Sequence, residues 1–167
     1  MLDADAIVHA LYDTEAVKTA LHLRWGDGVF DGEEIDRAAV ARLIFKSADQ
    51  RAWLEGLLWP LTAQHQRAFR EELEARSPRP RAGIVEVALL FEADAAARFD
   101  ATIAIVADDR LRMERLALRD QAELAARDGR QLAQAEKAAR ATYTVVNEGT
   151  EQELEQKLAA ILDTLAP

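Results

Sequence analysis

Short apolar runs separated by long helical stretches are the feature that most restricts how this chain can fold. Four segments have the apolar and β-branched composition of strands buried on both faces. They lie at residues 1–2 (a fragment), 83–90, 101–106 and 143–146. Because the intervening segments are long enough to be crossover helices, consecutive strands are expected to run parallel. The sequence therefore predicts the α/β class with a parallel sheet.

A helical region is predicted between the first strand fragment and the second strand, and we expect it to cover the edge of the sheet. Asp36 should cap the helix IDRAAVARLIF, and Ser47 or Asp49 the next one, because short polar side chains accept hydrogen bonds from the free N–H groups of a first turn. Pro60 should end or kink that second helix. This pattern predicts two helices in a V, followed by the loop SPRPRAG.

The C-terminal segment has the pattern of an amphipathic helix. Thr150 and Glu153 have the spacing of a capping box. Apolar residues at helical spacing then form one stripe, and they are Leu154, Leu158, Ile161 and Leu165. We expect this helix to pack on the sheet.

Length, charge and composition limit the classes of protein to which the chain can belong. The 167 residues suit one domain, and half of them are apolar, which is enough to bury a core. The net charge of −9 argues against a general duplex-binding role, so no nucleic-acid partner is expected. No apolar stretch approaches the roughly 18 residues that span a bilayer, the first residues are acidic, and there is no cysteine. We therefore expect a soluble cytoplasmic protein with no membrane partner.

Two aspartates near the start of the chain, Asp3 and Asp5, are the first candidate site residues. On an extended segment, residues two apart share a face, so both carboxylates would point the same way at the end of a short strand, where α/β sheets bind ligands. In the alternative, Asp5 caps a helix that begins near Ala6. Spacing alone does not decide between the two hypotheses.

A second acidic cluster follows the strand-like run VEVALLF. Glu92 and Asp94 come directly after that run. They are consistent with an acidic turn at a ligand site, but an ordinary strand end followed by a helix cap is the more common origin of such a pattern.

Basic residues are concentrated between positions 110 and 140 of this otherwise acidic chain. They are Arg110, Arg112, Arg115, Arg119, Arg127, Arg130, Lys137 and Arg140, with Gln131 among them. Guanidinium groups match phosphate oxygens bidentately, so the cluster favours a polyanionic ligand. The alternative is a solvated helix face whose charges pair with acidic neighbours one turn away.

The histidines and tryptophans do not indicate a metal or cofactor site. His9, His22 and His65 have no ligand spacing with one another, so no direct metal ligand is assigned. The tryptophans, at positions 25, 53 and 59, are expected to pack within the helical region.

Seven short segments carry a resemblance that extends over nearly the whole chain. In order they are DADAI with His9, WGDGVFDGEEIDRAAV, LEGLLWPL, VEVALLFE, MERLALR, ARDGRQ with EKAARA, and VVNEG. Together they resemble the dephospho-CoA kinase family, whose members carry out the last step of coenzyme A synthesis.

The resemblance implies a three-layer α/β fold of the P-loop kinase type, similar to the nucleoside monophosphate kinases. It implies a single domain over residues 1–167, with a helical CoA-binding subdomain at about 10–80 and a lid at about 120–141. ATP with Mg²⁺ would be the phosphoryl donor, and dephospho-CoA the acceptor. The reaction would be direct transfer of the γ-phosphoryl group, catalysed by positioning and charge neutralisation.

The roles of individual residues follow from the same resemblance. Asp5 would be the base or orienter at the ribose 3′-hydroxyl, with Asp3 beside it, near a magnesium ion held through water. The substrate-binding residues would be His9, Leu89, Leu90, Phe91 and Glu92. The lid and ATP-binding residues would be Arg119, Arg127, Gln131, Arg140, Asn147 and Gly149, the last two in a loop beside the adenine.

The family's phosphate-binding loop has no counterpart in these 167 residues. In the family, a first strand, a G-x-x-x-x-G-K-[ST] loop and a helix precede the acidic pair, whereas none of the seven glycines here begins a Gly-Lys-Ser or Gly-Lys-Thr. The resemblance therefore implies a sheet that lacks its central first strand and has unpaired backbone groups, each unfavourable by about 1–3 kcal/mol if left dry. Two hypotheses follow: a kinase whose start is set too far downstream, or a non-catalytic paralogue that binds a CoA precursor or another protein.

Overall fold

The computed structural model describes residues 1–117 and 131–165, and the chain divides into two compact units. The first unit is Met1–Val87 and the second is Ala88–Pro167. The single domain and its predicted subdivision stay a prediction. Within the described ranges, no helix is both long enough and apolar enough to cross a bilayer.

Helices make up most of the first unit. They are α1 (Ala4–Tyr12), α2 (Glu15–Trp25), α3 (Arg37–Lys46) and α4 (Ala48–Ala75), with a short 3-10 helix at Gly26–Val29. The predicted caps of α3 and α4 are confirmed. The Asp36 side chain accepts a hydrogen bond from the N–H of Ala39 at 3.0 Å, and Ser47 Oγ accepts one from the N–H of Gln50 at 3.4 Å.

An apolar core lies where these helices meet. Its fully buried side chains are Val17, Leu21, Val29 and Val40. Ile7 and Leu11 lie one turn apart on α1, and both pack into this core together with Leu54 and Leu58 of α4. The helical periodicity of the first half of the sequence therefore corresponds to buried stripes.

The prediction of two helices that meet at Pro60 is wrong, because α4 continues through that residue. Proline supplies no N–H, so the carbonyl of Gly56 loses its helical donor. The turns on both sides are nevertheless held in place, since Leu58 before the proline and Ala63 after it are buried. The hydroxyl of Thr62 also donates to the Leu58 carbonyl at 2.9 Å. Tertiary packing here outweighs the local effect of proline.

Two of the three tryptophans pack together within the helical region, as predicted. Trp25 and Trp53 meet edge to face with 5.1 Å between ring centroids, and Trp25 Nε1 donates to Gln50 Oε1 at 2.8 Å. Trp59 differs, because it is 37% exposed.

Short strands complete the first unit. β2 (Phe30–Asp31) and β3 (Glu34–Ile35) form an antiparallel hairpin, and Gly32 in its turn has a φ of +62°, in the left-handed region that favours glycine. β1 (Leu2–Asp3) and β4 (Val85–Glu86) pair in parallel, with Leu2 opposite Val85 and Asp3 opposite Glu86. The strand predicted at 83–90 is therefore much shorter than expected.

The second unit contains a longer parallel pair, β5 (Ile103–Val106) and β6 (Tyr143–Val146), whose four residues pair one to one. Its helices in the described ranges are α5 (Asp109–Ala117), α6 (Gln134–Arg140) and α7 (Glu151–Leu165), with a 3-10 helix at Ala96–Arg98. Parallel strands separated by helices confirm the α/β class. The prediction that these strands are buried on both faces is wrong for β5, because alternation places Ile103 and Ile105 on one face, where they are 36% and 51% exposed.

The predicted C-terminal helix is confirmed as α7, which contacts β6. Its capping box is reciprocal: the Thr150 N–H donates to Glu153 Oε2 at 2.8 Å, and the Glu153 N–H donates to Thr150 Oγ1 at 3.2 Å. The predicted stripe is half-buried at Leu154, Leu158 and Ile161. At the end of the helix, Leu165 is 40% exposed.

Candidate active site

Asp3, at the end of β1, caps α1 and does not share a strand face with Asp5. Asp3 Oδ1 accepts hydrogen bonds from the N–H groups of Asp5 at 2.8 Å and Ala6 at 3.2 Å. These are first-turn donors, and the helix begins at Ala4. The predicted strand face is therefore wrong, because β1 ends before Asp5, and the alternative in which Asp5 is the cap is wrong as well.

Asp5 and His9 are brought together on α1 in a different way. They lie four positions apart on the helix, so their side chains are neighbours on one face. Both are half-buried. Asp5 is in the first turn, where the helix dipole favours a negative charge. Two predicted site residues thus share a helix face.

A turn at the start of the second unit contains the predicted acceptor residues. These are Leu89, Leu90, Phe91 and Glu92, all half-buried. The N–H groups of Ala93 and Ala95 donate to the carbonyls of Leu89 and Leu90, both at 3.0 Å, so the backbone bonds are made locally and the strand does not extend through this segment. Asp94 adopts a positive φ of 49° here, and it does not cap a helix, because Ala95 occupies the cap position of the following 3-10 helix.

Glu92 is held by groups that come much later in the chain. Its Oε1 accepts a hydrogen bond from the N–H of Leu132 at 2.7 Å and lies 3.3 Å from Lys137 Nζ. The side chains of Glu92 and Lys137 are only 14% and 19% exposed. Lys137 Nζ also donates to the carbonyl of Ala88 at 3.0 Å. Glu92 is therefore part of a buried polar cluster and more than an ordinary strand end.

The carboxyl group of Glu92 is ionised at neutral pH. Burial raises its pKa, but the N–H of Leu132, its own backbone N–H and the Lys137 ammonium together outweigh burial and lower the pKa below the ordinary value. Its second oxygen, Oε2, is buried and has no hydrogen-bond partner within residues 1–117 and 131–165. This oxygen can accept a hydrogen bond from a ligand hydroxyl.

Several residues of the basic cluster form ion pairs within their own helix, whereas Lys137 contacts Glu92 in a distant segment of the chain. On α5, Arg110 Nε lies 3.7 Å from Glu114 Oε1, as expected for a solvated helix face. Arg112 Nε lies 3.6 Å from Asp109 Oδ1 but is itself buried. On α6, Arg140 pairs with Glu136. Among the predicted site residues, Arg119 and Arg127 lie outside the described ranges. Gln131 is half-buried directly before Leu132.

Two cations hold successive carbonyls at the end of β6. Lys157 Nζ donates to the carbonyl of Val146 and Arg115 Nη1 to that of Asn147, each at 2.7 Å. The Asn147 N–H donates to the carbonyl of Val106 at 2.8 Å. The predicted adenine loop, which begins at Asn147 and includes Gly149, therefore starts from a fixed backbone.

Sequence reasoning missed the partners of three cations, Arg115, Lys137 and Lys157. Helix spacing identifies pairs three or four positions apart. In contrast, Arg115 meets Asn147 across 32 positions and Lys137 meets Ala88 across 49. No local pattern could have identified these pairs.

A cavity of about 580 Å³ in the first unit contains none of the predicted site residues. It is lined by α2, the 3-10 helix at Gly26–Val29 and the β2–β3 hairpin, and His22 Nδ1 of α2 lies 3.3 Å from Asp27 Oδ1 of the 3-10 helix. In the described part of the chain, no group of three or more His, Cys, Asp or Glu side chains could hold a metal ion.

Comparison with known proteins gives a consistent result. The family model described as dephospho-CoA kinase matches residues 1–153. The dephospho-CoA kinase of Protochlamydia amoebophila is 30% identical over 169 residues, which cover 98% of this chain and 83% of that protein. The dephospho-CoA kinase of Deinococcus radiodurans is 35% identical over 170 residues, which cover 99% of this chain and 80% of that protein.

Solved structures agree with the fold. A crystal structure from Thermus thermophilus matches with a TM-score of 0.76 at 30% identity, covering 99% of this chain and 84% of that one. The dephospho-CoA kinase from Campylobacter jejuni matches with a TM-score of 0.63 and the same coverage at 20% identity, a likeness that concerns the fold alone.

Proposed function

The chain belongs to the dephospho-CoA kinase family, and on this basis we propose that it transfers the γ-phosphoryl group of ATP to the ribose 3′-hydroxyl of dephospho-CoA. The observation that carries the proposal is the family match over residues 1–153, which includes both the α1 residues and the Glu92 turn. A location in the cytoplasm is part of the proposal and so far a prediction.

Asp5 is the proposed base or orienter. Its carboxylate would accept the proton of the 3′-hydroxyl while the hydroxyl oxygen forms a bond to the γ-phosphorus and the bond to the β–γ bridging oxygen breaks, releasing ADP. His9 lies on the same helix face and would contact the acceptor next to Asp5.

Asp3 is the proposed neighbour of a magnesium ion. Mg²⁺ is commonly bound through one or two carboxylates together with substrate phosphates and waters. Asp3 fits this requirement because it is exposed and carries a hard oxygen donor. When bound, Mg²⁺ would neutralise charge on the phosphates.

The Glu92 turn is the proposed acceptor pocket. Leu89, Leu90 and Phe91 supply half-buried apolar surface. The buried, unpartnered Oε2 of Glu92 supplies an acceptor for a hydroxyl of the substrate. This combination of apolar contact and a single polar group is typical of small-molecule sites.

The donor side is proposed to include Gln131, Arg140, Asn147 and Gly149, together with Arg119 and Arg127 outside the described ranges. Asn147 is supported best, because its backbone N–H and carbonyl are both hydrogen-bonded and the start of the loop is thereby held in place. Guanidinium groups would neutralise the transferring phosphoryl group.

The finer fold belongs to the same proposal: a three-layer parallel sheet whose central first strand is not among these residues. It is supported by the parallel pairs β1–β4 and β5–β6, in each of which the described residues form two strands, because purely parallel sheets are usually larger and covered on both faces. The exposed Ile103 and Ile105 of β5 are consistent with a face that lacks its cover.

A second candidate is a non-catalytic module that binds a CoA precursor or another protein. The observation that favours it is the buried Oε2 of Glu92, which has no hydrogen-bond partner in the described ranges and could bind a ligand hydroxyl without any phosphoryl transfer. Such a module would keep the Glu92 turn and still bind dephospho-CoA.

One experiment separates these candidates. The full chain is mixed with ATP, Mg²⁺ and dephospho-CoA, and phosphorylated product is detected by mass spectrometry, while calorimetry measures dephospho-CoA binding. Turnover at kinase rates, about 1–100 per second, supports the kinase. Binding without turnover supports the module, and the absence of both contradicts the two proposals.

Asp5→Asn tests the base directly. Loss of a general base reduces turnover by about 10²–10⁴-fold, and we expect dephospho-CoA affinity to change much less. Asp49→Asn is the matched control, since Asp49 also lies in the first turn of a helix but is exposed on α4. Equal turnover of Asp5→Asn and the unmodified protein would show that Asp5 is not the base.

A further inference from the structure

One ammonium group contacts both ends of the turn that contains the proposed acceptor residues. Lys137 Nζ donates to the Ala88 carbonyl at 3.0 Å, just before Leu89, and lies 3.3 Å from Glu92 Oε1. The three residues enclosed by these contacts are Leu89, Leu90 and Phe91. A single side chain from α6 therefore closes the turn.

We propose that Lys137 is a positioning residue for dephospho-CoA, acting through the turn 88–92 without touching the substrate itself. The proposal rests on the proposed function. Because both ends of the turn contact one ammonium group, the apolar side chains between them keep one arrangement. Glu92 Oε1 is engaged by Lys137 and by the Leu132 N–H. The carboxylate orientation is then fixed, so Oε2 is presented in a single position.

Stability alone does not account for the whole arrangement, because the contacts of the ionised Glu92 are partly offset by the cost of burying it. Burying an ion pair removes hydration from both charges, and apolar replacements of similar volume are often neutral or stabilising. Glu92 Oε2 adds a buried acceptor without a partner in the described ranges. A substrate hydroxyl bonded to Oε2 would remove that penalty.

Preorganisation explains how a residue that does not touch the substrate can affect affinity. Ordering side chains and loops on binding reduces affinity, and a site that is already ordered avoids this loss. Without Lys137, the hydrogen bonds that the described residues supply to the turn would be its own backbone bonds and the bond from the Leu132 N–H to Glu92. Substrate binding would then have to order the turn.

The test compares three variants of the full chain by calorimetric titration with dephospho-CoA in the absence of ATP. Lys137→Met removes the ammonium, and loss of its charge-assisted hydrogen bonds is expected to weaken binding by about tenfold or more. Lys137→Arg keeps a cation that can reach both acceptors, so it should restore affinity to within about threefold. Lys46→Met removes the same charge from the exposed end of α3 and should leave affinity unchanged.

Unchanged affinity in Lys137→Met, or a Lys137→Arg variant as weak as Lys137→Met, would overturn the proposal. A second measurement tests the role of Lys137 even if the proposed function itself is wrong. If the unmodified protein does not bind dephospho-CoA, the substrate assignment is wrong, and amide hydrogen exchange at Leu132 decides the positioning role. Lys137→Met should then accelerate exchange at Leu132 while Lys137→Arg does not, and equal exchange in both would reject the role.

Discussion

Each of the two units of the molecule is stabilised internally by a different kind of contact. In Met1–Val87, large apolar side chains are fully buried, among them Val17, Leu21 and Val40. In the described residues of the second unit, the buried apolar side chains are only Ala95, Ala104 and Val145. In the second unit, polar contacts link segments that are distant in sequence. Examples are the hydrogen bonds that the side chains of Lys137, Lys157 and Arg115 donate to backbone carbonyls.

This difference matters for function, because a directional contact fixes where a polar group points and apolar packing does not. The second unit carries the Glu92 turn and the loop after β6, both proposed to contact substrates. Hydrogen bonds depend steeply on distance and angle, so a unit built from them can hold a polar site accurately with a small apolar core. The expected consequence is that the two units respond to different kinds of mutation.

The largest effect is expected from Leu21→Ala in the first unit. Leu21 is fully buried, and truncation of such a leucine leaves a cavity that lowers the free energy of unfolding by about 2–5 kcal/mol. The measurement is chemical denaturation followed by tryptophan fluorescence, which reports on this unit because Trp25, Trp53 and Trp59 all lie in it.

Leu23→Ala is the matched control, because Leu23 lies two positions away on α2 and is 81% exposed. Its effect should stay within about 0.5 kcal/mol. If the two variants lost similar stability, the apolar core would not be what holds the first unit.

A smaller effect is expected from Thr142→Val in the second unit. The N–H groups of Thr102 and Thr142 each donate to the other residue's Oγ1 at 3.0 Å, and Thr102 is buried. Valine keeps the shape but leaves the Thr102 N–H without its acceptor, which should lower the free energy of unfolding by about 1–3 kcal/mol. Amide exchange at Thr102 and circular dichroism measure the change.

The control is Thr144→Val, two positions further on in β6, since Thr144 is exposed and its hydroxyl lies 3.3 Å from the Ala138 carbonyl oxygen. It should leave exchange at Thr102 unchanged. Thr102 exchange that is equally fast in both variants would mean that β-strand packing, and not the reciprocal hydrogen bonds, protects this end of the β5–β6 pair.

The fold was predictable where it depends on local patterns. The caps at Asp36 and Ser47, the box at Thr150 and Glu153, and the strand 143–146 were all confirmed because each depends on neighbouring residues. Pro60 was misread because burial of distant side chains keeps α4 continuous, and that burial is not visible in a local window.

The candidate site was predictable in its members more than in its geometry. Asp3, Asp5 and Glu92 were candidates because they lie at the ends of predicted strands, and the roles that the family resemblance implies for them are still predictions. The sequence could not show that Asp3 is the cap of α1, because a shift of two residues in the start of the helix, from near Ala6 to Ala4, moves the cap from Asp5 to Asp3. It could not show the Lys137 contact with Glu92 either, because the two residues lie 45 positions apart in the chain, beyond the reach of any local pattern.

The smallest effect is expected in the pH dependence of stability, and it comes from Glu92 in the second unit. Burial raises the pKa of Glu92, but the Leu132 N–H and Lys137 prevail and lower it below the ordinary value. A carboxyl group with a lowered pKa in the folded state contributes stability that is present above the ordinary glutamate pKa and is lost as the pH falls through the folded-state value. Glu92→Gln removes the titrating group, so stability should fall less steeply with acid than in the unmodified protein.

Denaturation midpoints measured across the acidic range give this slope, with Glu155→Gln, at an exposed position of α7, as the control that should keep the original one. The stability of the same variants in the alkaline range provides a comparison, because there the titrating group with a shifted pKa is Tyr12 of the first unit. Burial raises the pKa of Tyr12 and Arg37 opposes it, so that group's contribution is present below the ordinary tyrosine pKa and is lost as the pH rises through the folded-state value. Glu92→Gln should therefore leave the alkaline limb unchanged. An acid slope equal to that of the unmodified protein would mean that the contacts of Glu92 do not stabilise its ionised form.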